Sequence, residues 1–175
     1  MTDTEINIRY GTQADAALLA ELGAQTFRET FANNNTPENM AAYLAEAFGP
    51  DIQLAELVDP ANRFLIAESA GVPIGYAKLR SGEVPAEVGD AQAVELQRIY
   101  VLNGWLGRGV GEQLMRACLR EAETNGHTTI WLGVWEHNPR AIAFYRKWGF
   151  EQVGVHVFQL GDDPQTDLIL RRRIR

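Results

Sequence analysis

Two hydrophobic periods alternate along this chain, and their order predicts its elements. Leu18, Leu19, Leu22, Phe27 and Phe31 are the apolar residues of a helix behind Thr12, a capping residue; Asn33, Asn34 and Asn35 then mark a turn. Thr36 and Pro37 open a second helix: threonine caps, and proline takes the first helical position, where its missing N–H costs nothing. Met40, Tyr43, Leu44 and Phe48 line that helix, Gly49 and Pro50 stop it, and a short third helix spans Asp51–Val58. Strand-like runs fall at Ile6–Tyr10, Arg63–Ser69, Ile74–Arg80, Val94–Val101, Thr129–Trp135, Glu151–Gln159 and Thr166–Leu170. Between them lie a helix from near Gly109 to Thr124, with Val110, Leu114 and Cys118 as its apolar stripe, and another at Pro139–Trp148, capped by Asn138.

Several connections carry their own signals. Ala70 to Pro73 reads as a hairpin turn, and Gly161 to Pro164 as a turn. Ser81–Ala93 has no period and reads as a mobile loop, while Arg171–Arg175 reads as a solvated tail. Thr129–Trp135 is almost wholly apolar, the composition of a strand buried on both faces. Val94–Trp135 therefore predicts one β–α–β unit with parallel strands and a right-handed crossover. The whole order predicts an α/β fold, a mixed sheet with helices on both faces, in one domain over residues 1–175.

Composition narrows the class. The chain is acidic, with a formal charge of −7, and only Lys78 and Lys147 are lysines. That balance argues against nucleic-acid and membrane partners. The lone Cys118 excludes an internal disulfide and suits a reducing compartment. The N-terminus lacks a basic-then-apolar leader pattern, and no apolar run could span a bilayer, so a cytoplasmic protein is expected. His127, His137 and His156 have no ligand spacing, so no metal is expected.

The chemistry gathers at Val94–Met115, a strand, a glycine-spaced loop and a helix start. The first N–H groups of a helix lack internal partners and form an anion site, and glycines let a ligand approach the backbone. A diphosphate is the natural guest. No lysine followed by Ser or Thr stands after Gly107, Gly109 and Gly111, which rejects a P-loop. Their alternate spacing, behind a hairpin, also suits a dinucleotide fingerprint poorly.

LQRIYV followed by GWLGRGVG resembles the acetyl-CoA-binding core of the GNAT superfamily of N-acetyltransferases, and WLGVWEHNPRAIAFYRKWGFEQVG is similar to the strand, Asn-capped helix and Phe-Tyr-x-Lys-x-Gly-Phe signature that follow it there. ETFANNNTPENMAAYL, IWLGVWE and LGDDPQTDLIL are similar to the spermidine/spermine (PaiA-type) polyamine acetyltransferases. Leu106 departs from the Gln or Arg usual there. The resemblance implies a GNAT-like, largely antiparallel central sheet flanked by helices, with one parallel β–α–β core for acetyl-CoA. It implies acetyl transfer to a small-molecule primary amine, a polyamine first, by direct attack in a ternary complex, and a homodimer. The alternatives are another amine (an amino acid, a drug, a protein N-terminus) or a non-catalytic acyl-CoA-binding module.

The resemblance also assigns residues. The backbone of Ile99, Tyr100 and Val101 would hold the pantetheine arm, and an N–H near Val101 would polarise the thioester carbonyl. Gly107, Arg108, Gly109, Val110, Gly111 and Glu112 would surround the diphosphate, with Asn138 and Lys147 touching the cofactor. Tyr145 would protonate the departing thiolate. Asn138 also reads as a helix cap, and Tyr145 as a core residue beside Ala141, Phe144 and Trp148. Glu95, at the strand's entrance, is the expected base acting through water. Glu29, Glu38, Asp162 and Asp163 would frame the amine, as carboxylates suit a polycation.

Overall fold

The computed structural model describes residues 5–174; the rest of the N-terminal stretch and the final arginine of the tail lie outside the described residues. Seven strands form one sheet in the order β1-β2-β3-β4-β5-β7-β6. They are β1 (Ile6–Tyr10), β2 (Asn62–Ser69), β3 (Val72–Arg80), β4 (Val94–Val101), β5 (Thr129–Trp135), β6 (Glu151–Leu160) and β7 (Asp163–Arg173). Five helices flank it: α1 (Ala16–Phe31), α2 (Pro37–Ala47), α3 (Pro50–Val58), α4 (Val110–Thr124) and α5 (Pro139–Lys147). All neighbouring strands are antiparallel except β4 and β5.

The apolar stripes sort the helices between the faces. Leu114, Met115 and Cys118 of α4 and Ile142 of α5 pack on Leu96, Ile130 and Leu132 of the sheet. On the opposite face, Leu19 and Leu22 of α1 meet Phe64, Ile66 and Tyr76, while Phe27 joins Met40, Phe48 and Leu160. The Thr36 hydroxyl accepts the Asn39 N–H at 3.1 Å, so α2 starts where its cap requires.

Three expectations need correction. Ser81–Ala93 is pinned: Val88 and Ala93 are buried against Trp131 and Ile169, and Asp90 accepts hydrogen bonds from Thr128 and Thr129 at 2.6 Å each. Arg171–Arg173 is no solvated tail but the end of β7, paired with β5, with Arg171 bound to Glu151 at 3.1 Å. β7 starts at Asp163, which leaves Gly161 and Asp162 as a two-residue turn. In each case tertiary pairing extends structure through residues whose side chains alone suggest solvent.

One topological feature positions the site. β4 and β5 pair at only two positions, Val94 with Ile130 and Glu95 with Trp131. Beyond them the strands part. A bulge at Gln97, where the pairing of β3 with β4 shifts register between Lys78 and Leu79, bends β4 at that point.

Candidate active site

The gap between β4 and β5 opens into a cavity of about 840 Å³ that runs from one face of the sheet to the other. This is the size of a pocket for a sizeable small molecule. On the α4 and α5 side its wall includes Gly107, Gly109, Gly111, Glu112, Asn138 and Tyr145; on the α1 and α2 side it includes Glu29, Phe31, Tyr43, Trp135, Phe158 and Asp167.

The free edge of β4 follows from ladder geometry. Leu102 N–H donates to Ile74 of β3 at 2.9 Å. Backbone groups alternate sides along a strand, so Tyr100 also pairs toward β3 while Ile99 and Val101 turn theirs toward the gap. An extended chain in the gap meets those donors and acceptors as a β5 continuation would. The glycine loop is shaped for an anion. Gly107 and Gly109 adopt φ of 76° and 82°, the left-handed region open to glycine, and Gly109, the N-cap residue of α4, supplies no side-chain cap. Its first N–H groups therefore remain available at the cavity wall. Arg108 stacks over Trp105 at 5.1 Å outside the lining, and Val110 is buried in the core. Arg140, unforeseen from the sequence, lines this end. These groups suit the diphosphate and amide-rich arm of coenzyme A.

Tyr145 is 9% exposed and packs edge-on against Phe144 and Phe150. Buried tyrosines normally bond through their hydroxyl. This one has no hydrogen-bond partner among the described residues, and burial pushes its titration well up, so it stays a phenol at neutral pH. Asn138 caps α5, accepting the Ala141 N–H at 3.2 Å, and also lines the cavity. Cys118 lies in the core, its thiol pushed up to about 12 by burial.

The expected acidic residues divide. Glu29 lines the cavity, with one oxygen accepting the Asn103 N–H at 2.9 Å. Glu95 stands where β4 and β5 part, but Arg80, directly opposite on β3, holds its carboxylate at 2.7 and 2.9 Å. Glu38, Asp162 and Asp163 are exposed and outside the lining, as is Lys147. Asp167 and His156 were not foreseen. They lie opposite each other on β7 and β6, on the face that carries Trp135. The alternation Val155, His156, Val157, Phe158 turns His156 to the side of Phe158, and Asp167 interrupts an apolar strand; both signals were in the sequence.

Comparison with known proteins gives this geometry its class. The profile of the acetyltransferase (GNAT) family matches residues 23–150, and the chain belongs to that family. It is an acetyl-CoA-dependent N-acetyltransferase. The chain is 33% identical over 171 residues to an uncharacterized N-acetyltransferase in the pepI 3′ region of Lactobacillus delbrueckii subsp. lactis, covering 98% of this chain and 99% of that one. It is 34% identical over 155 residues to the N-alpha-acetyltransferase RimI of Mycobacterium tuberculosis, covering 87% and 84%. Among solved structures, the PaiA N-acetyltransferase of Thermoplasma acidophilum, in complex with coenzyme A, superposes with a TM-score of 0.78 at 21% identity over 97% of this chain and 99% of that one. Among the described residues no His, Cys, Asp and Glu cluster could hold a metal, and no helix is long and apolar enough to cross a membrane.

Proposed function

We propose that the enzyme passes acetyl directly from acetyl-CoA to a primary amine in a ternary complex, and that the amine is a polyamine such as spermidine or spermine. The continuous cavity through the β4–β5 gap carries this reading, because it lets the two substrates meet from opposite faces of the sheet. The N–H groups at Gly107, Gly109 and Gly111, with Arg108 nearby, bind the diphosphate. The turned-out backbone of Ile99 and Val101 holds the pantetheine, and the Val101 N–H steadies the carbonyl oxygen as negative charge grows there. Tyr145 gives its proton to the sulfur. With Cys118 remote and held as a thiol, no cysteine acyl-enzyme is needed. Glu95, tied to Arg80, serves as a fixed charge at the apex of the gap.

A polyamine suits the acceptor side for two reasons. Phe27, Phe31, Tyr43 and Phe158 offer ring faces that attract cations, and Glu29 and Asp167 supply negative charge. The likeness to PaiA adds a weaker support. The likeness to RimI favours a second reading, a peptide N-terminus. The same proposal puts the enzyme in the cytoplasm, in line with its single buried cysteine, and makes it a homodimer, for which the exposed Val155 and Val157 on the sheet edge offer a surface. Thiol release from acetyl-CoA, measured with spermidine, spermine, free amino acids and an alanyl peptide, tests the acceptor. Highest kcat/KM with spermidine or spermine is expected; preference for the peptide overturns the polyamine assignment.

A further inference from the structure

An alkylammonium must shed a proton before its nitrogen can attack, and the acceptor end of the cavity holds few groups able to take it. Of its carboxylates, Glu95 is ion-paired through Oε2 with two nitrogens of Arg80, at 2.7 and 2.9 Å, and Glu29 accepts the Asn103 N–H on one oxygen at 2.9 Å and the Gln25 side-chain amide on the other at 3.4 Å. Glu112 is exposed at the start of α4, on the cofactor side. Arg98 is buried and bound by Glu56 through both of its terminal nitrogens, at 2.9 and 3.0 Å. His156 and Asp167 differ from all of these. The His156 Nε2 lies 3.6 Å from the Asp167 Oδ2, within ion-pair reach but beyond a hydrogen bond, and neither side chain has another polar partner among the described residues.

The neighbouring strand makes room for them. A Cβ on Gly133 of β5 would sit 3.0 Å from His156 Cε1, 3.1 Å from Nε2 and 3.3 Å from Asp167 Oδ2. The glycine thus leaves the pair the space directly above β5, the strand whose departure from β4 opens the cofactor gap. Asp167 is 8% exposed, and burial holds its carboxyl above the usual range against the opposing pull of His156. The imidazole keeps an open side, its side chain being 37% exposed.

We propose that His156, oriented and charge-compensated by Asp167, accepts the proton of the attacking ammonium. The inference rests on the acyl-transfer reading of the cavity given above. The steps balance. One ammonium N–H bond breaks and its proton moves to the imidazole, and the nitrogen pair attacks the thioester carbon. The C–S bond breaks as Tyr145 protonates the sulfur, the amide nitrogen loses its second proton to restore Tyr145, and His156 releases its own to solvent. Protonation turns the loose His156–Asp167 contact into an ion pair, so the dyad stabilises the charge it receives. Histidine is the side chain best suited to such transfer near neutral pH. His156 is the catalytic residue here, and Asp167 a positioning residue.

Steady-state kinetics of the full chain test this, using whichever of spermidine and an alanyl tetrapeptide the wild type acetylates better. His156→Gln should lower kcat/KM for the amine at pH 7 by about 100-fold, the lower range for a general base. KM for acetyl-CoA should not change. The deficit should shrink as pH rises and the free amine supplies itself, and added imidazole should restore part of the rate. The other ionisable groups of the cavity (Glu29, Tyr43, Arg80, Glu95, Arg98, Tyr100, Glu112, Arg140, Tyr145, Asp167), together with Glu87 packed over Gly154 of β6, are common to both proteins, so the ratio of their profiles isolates His156. Asp167→Asn should show a smaller deficit with the same pH recovery, and it reads the proposal if His156→Gln does not fold. A loss that is constant with pH, or no loss, overturns the proposal. A wild type that acetylates neither acceptor overturns the acyl-transfer reading beneath it.

Discussion

Two polar clusters stand on the same side of the sheet and follow opposite rules. In the first, Glu56 of α3 binds Lys78 at 2.9 Å and Arg98 at 2.9 and 3.0 Å. Lys78 and Arg98 are 1% and 7% exposed, and each also lies over a ring, Phe64 and Phe48 respectively. Both carboxylate oxygens of Glu56 are taken, and Arg98, although it lines the cavity, has both terminal nitrogens bound to Glu56. In the second, His156 and Asp167 hold each other loosely and face a cavity. Buried polar groups are normally satisfied within the protein, so saturation marks a structural cluster, and an unsaturated group that also faces the cavity marks a working one. Tyr145, across the gap, belongs with the second by the same criterion.

The largest effect should come from emptying the saturated cluster. Glu56→Gln would leave two buried cations without their shared anion. Breaking a buried ion pair in this way costs about 3–5 kcal/mol. The urea midpoint should fall accordingly. A change below about 1 kcal/mol, the range of a surface pair, would show that water reaches the cluster and that the contrast is false.

The next effect is kinetic. Tyr145→Phe removes a hydroxyl with no hydrogen-bond partner among the described residues, so stability should hold. The rate of acetyl transfer should drop by about 100-fold or more, the range for loss of a positioned proton donor. Thermal unfolding beside thiol release separates the two. Undiminished turnover would return Tyr145 to the core, where Ile142 and Phe150 already lie.

The working cluster was harder to read in the sequence than the scaffold, for a physical reason. Periodicity reports local burial, and it located the seven strands and five α-helices of the described residues to within a few residues. The glycine loop and Tyr145 were legible because backbone conformation and a contiguous signature carry them. His156 and Asp167 are eleven residues apart in sequence and meet only because β6 and β7 pair in one register. Glu38, Asp162 and Asp163 show the converse: carboxylates near the right elements, whose side chains end outside the cavity. Glu95 needed Arg80 beside it to be understood, and that contact depends on the β3–β4 register. Charge alone does not say which way a side chain faces.

The smallest effect lies inside the saturated cluster itself. The saturated cluster holds two cations against one anion, so Lys78 is its surplus charge. Burial and the adjacent Arg98 push the Lys78 ammonium down to about 8, outweighing the pull of Glu56. An unfolded lysine titrates near 10.4. Between these values the unfolded chain binds the proton that the folded chain has lost, so this group's contribution to stability rises with pH. Below about 8 both states are charged and the burial penalty is fully present. Lys78→Met keeps the bulk and leaves Glu56 paired with Arg98. At pH 7 it should therefore be neutral or stabilising by roughly 1–3 kcal/mol, as for other buried charges replaced by apolar groups. The gain should narrow as pH approaches 10, where wild-type Lys78 is itself uncharged. Urea unfolding of both proteins across that range measures the difference and cancels every group they share. A variant less stable at all pH values would mean that Lys78 completes the cluster and carries no surplus charge.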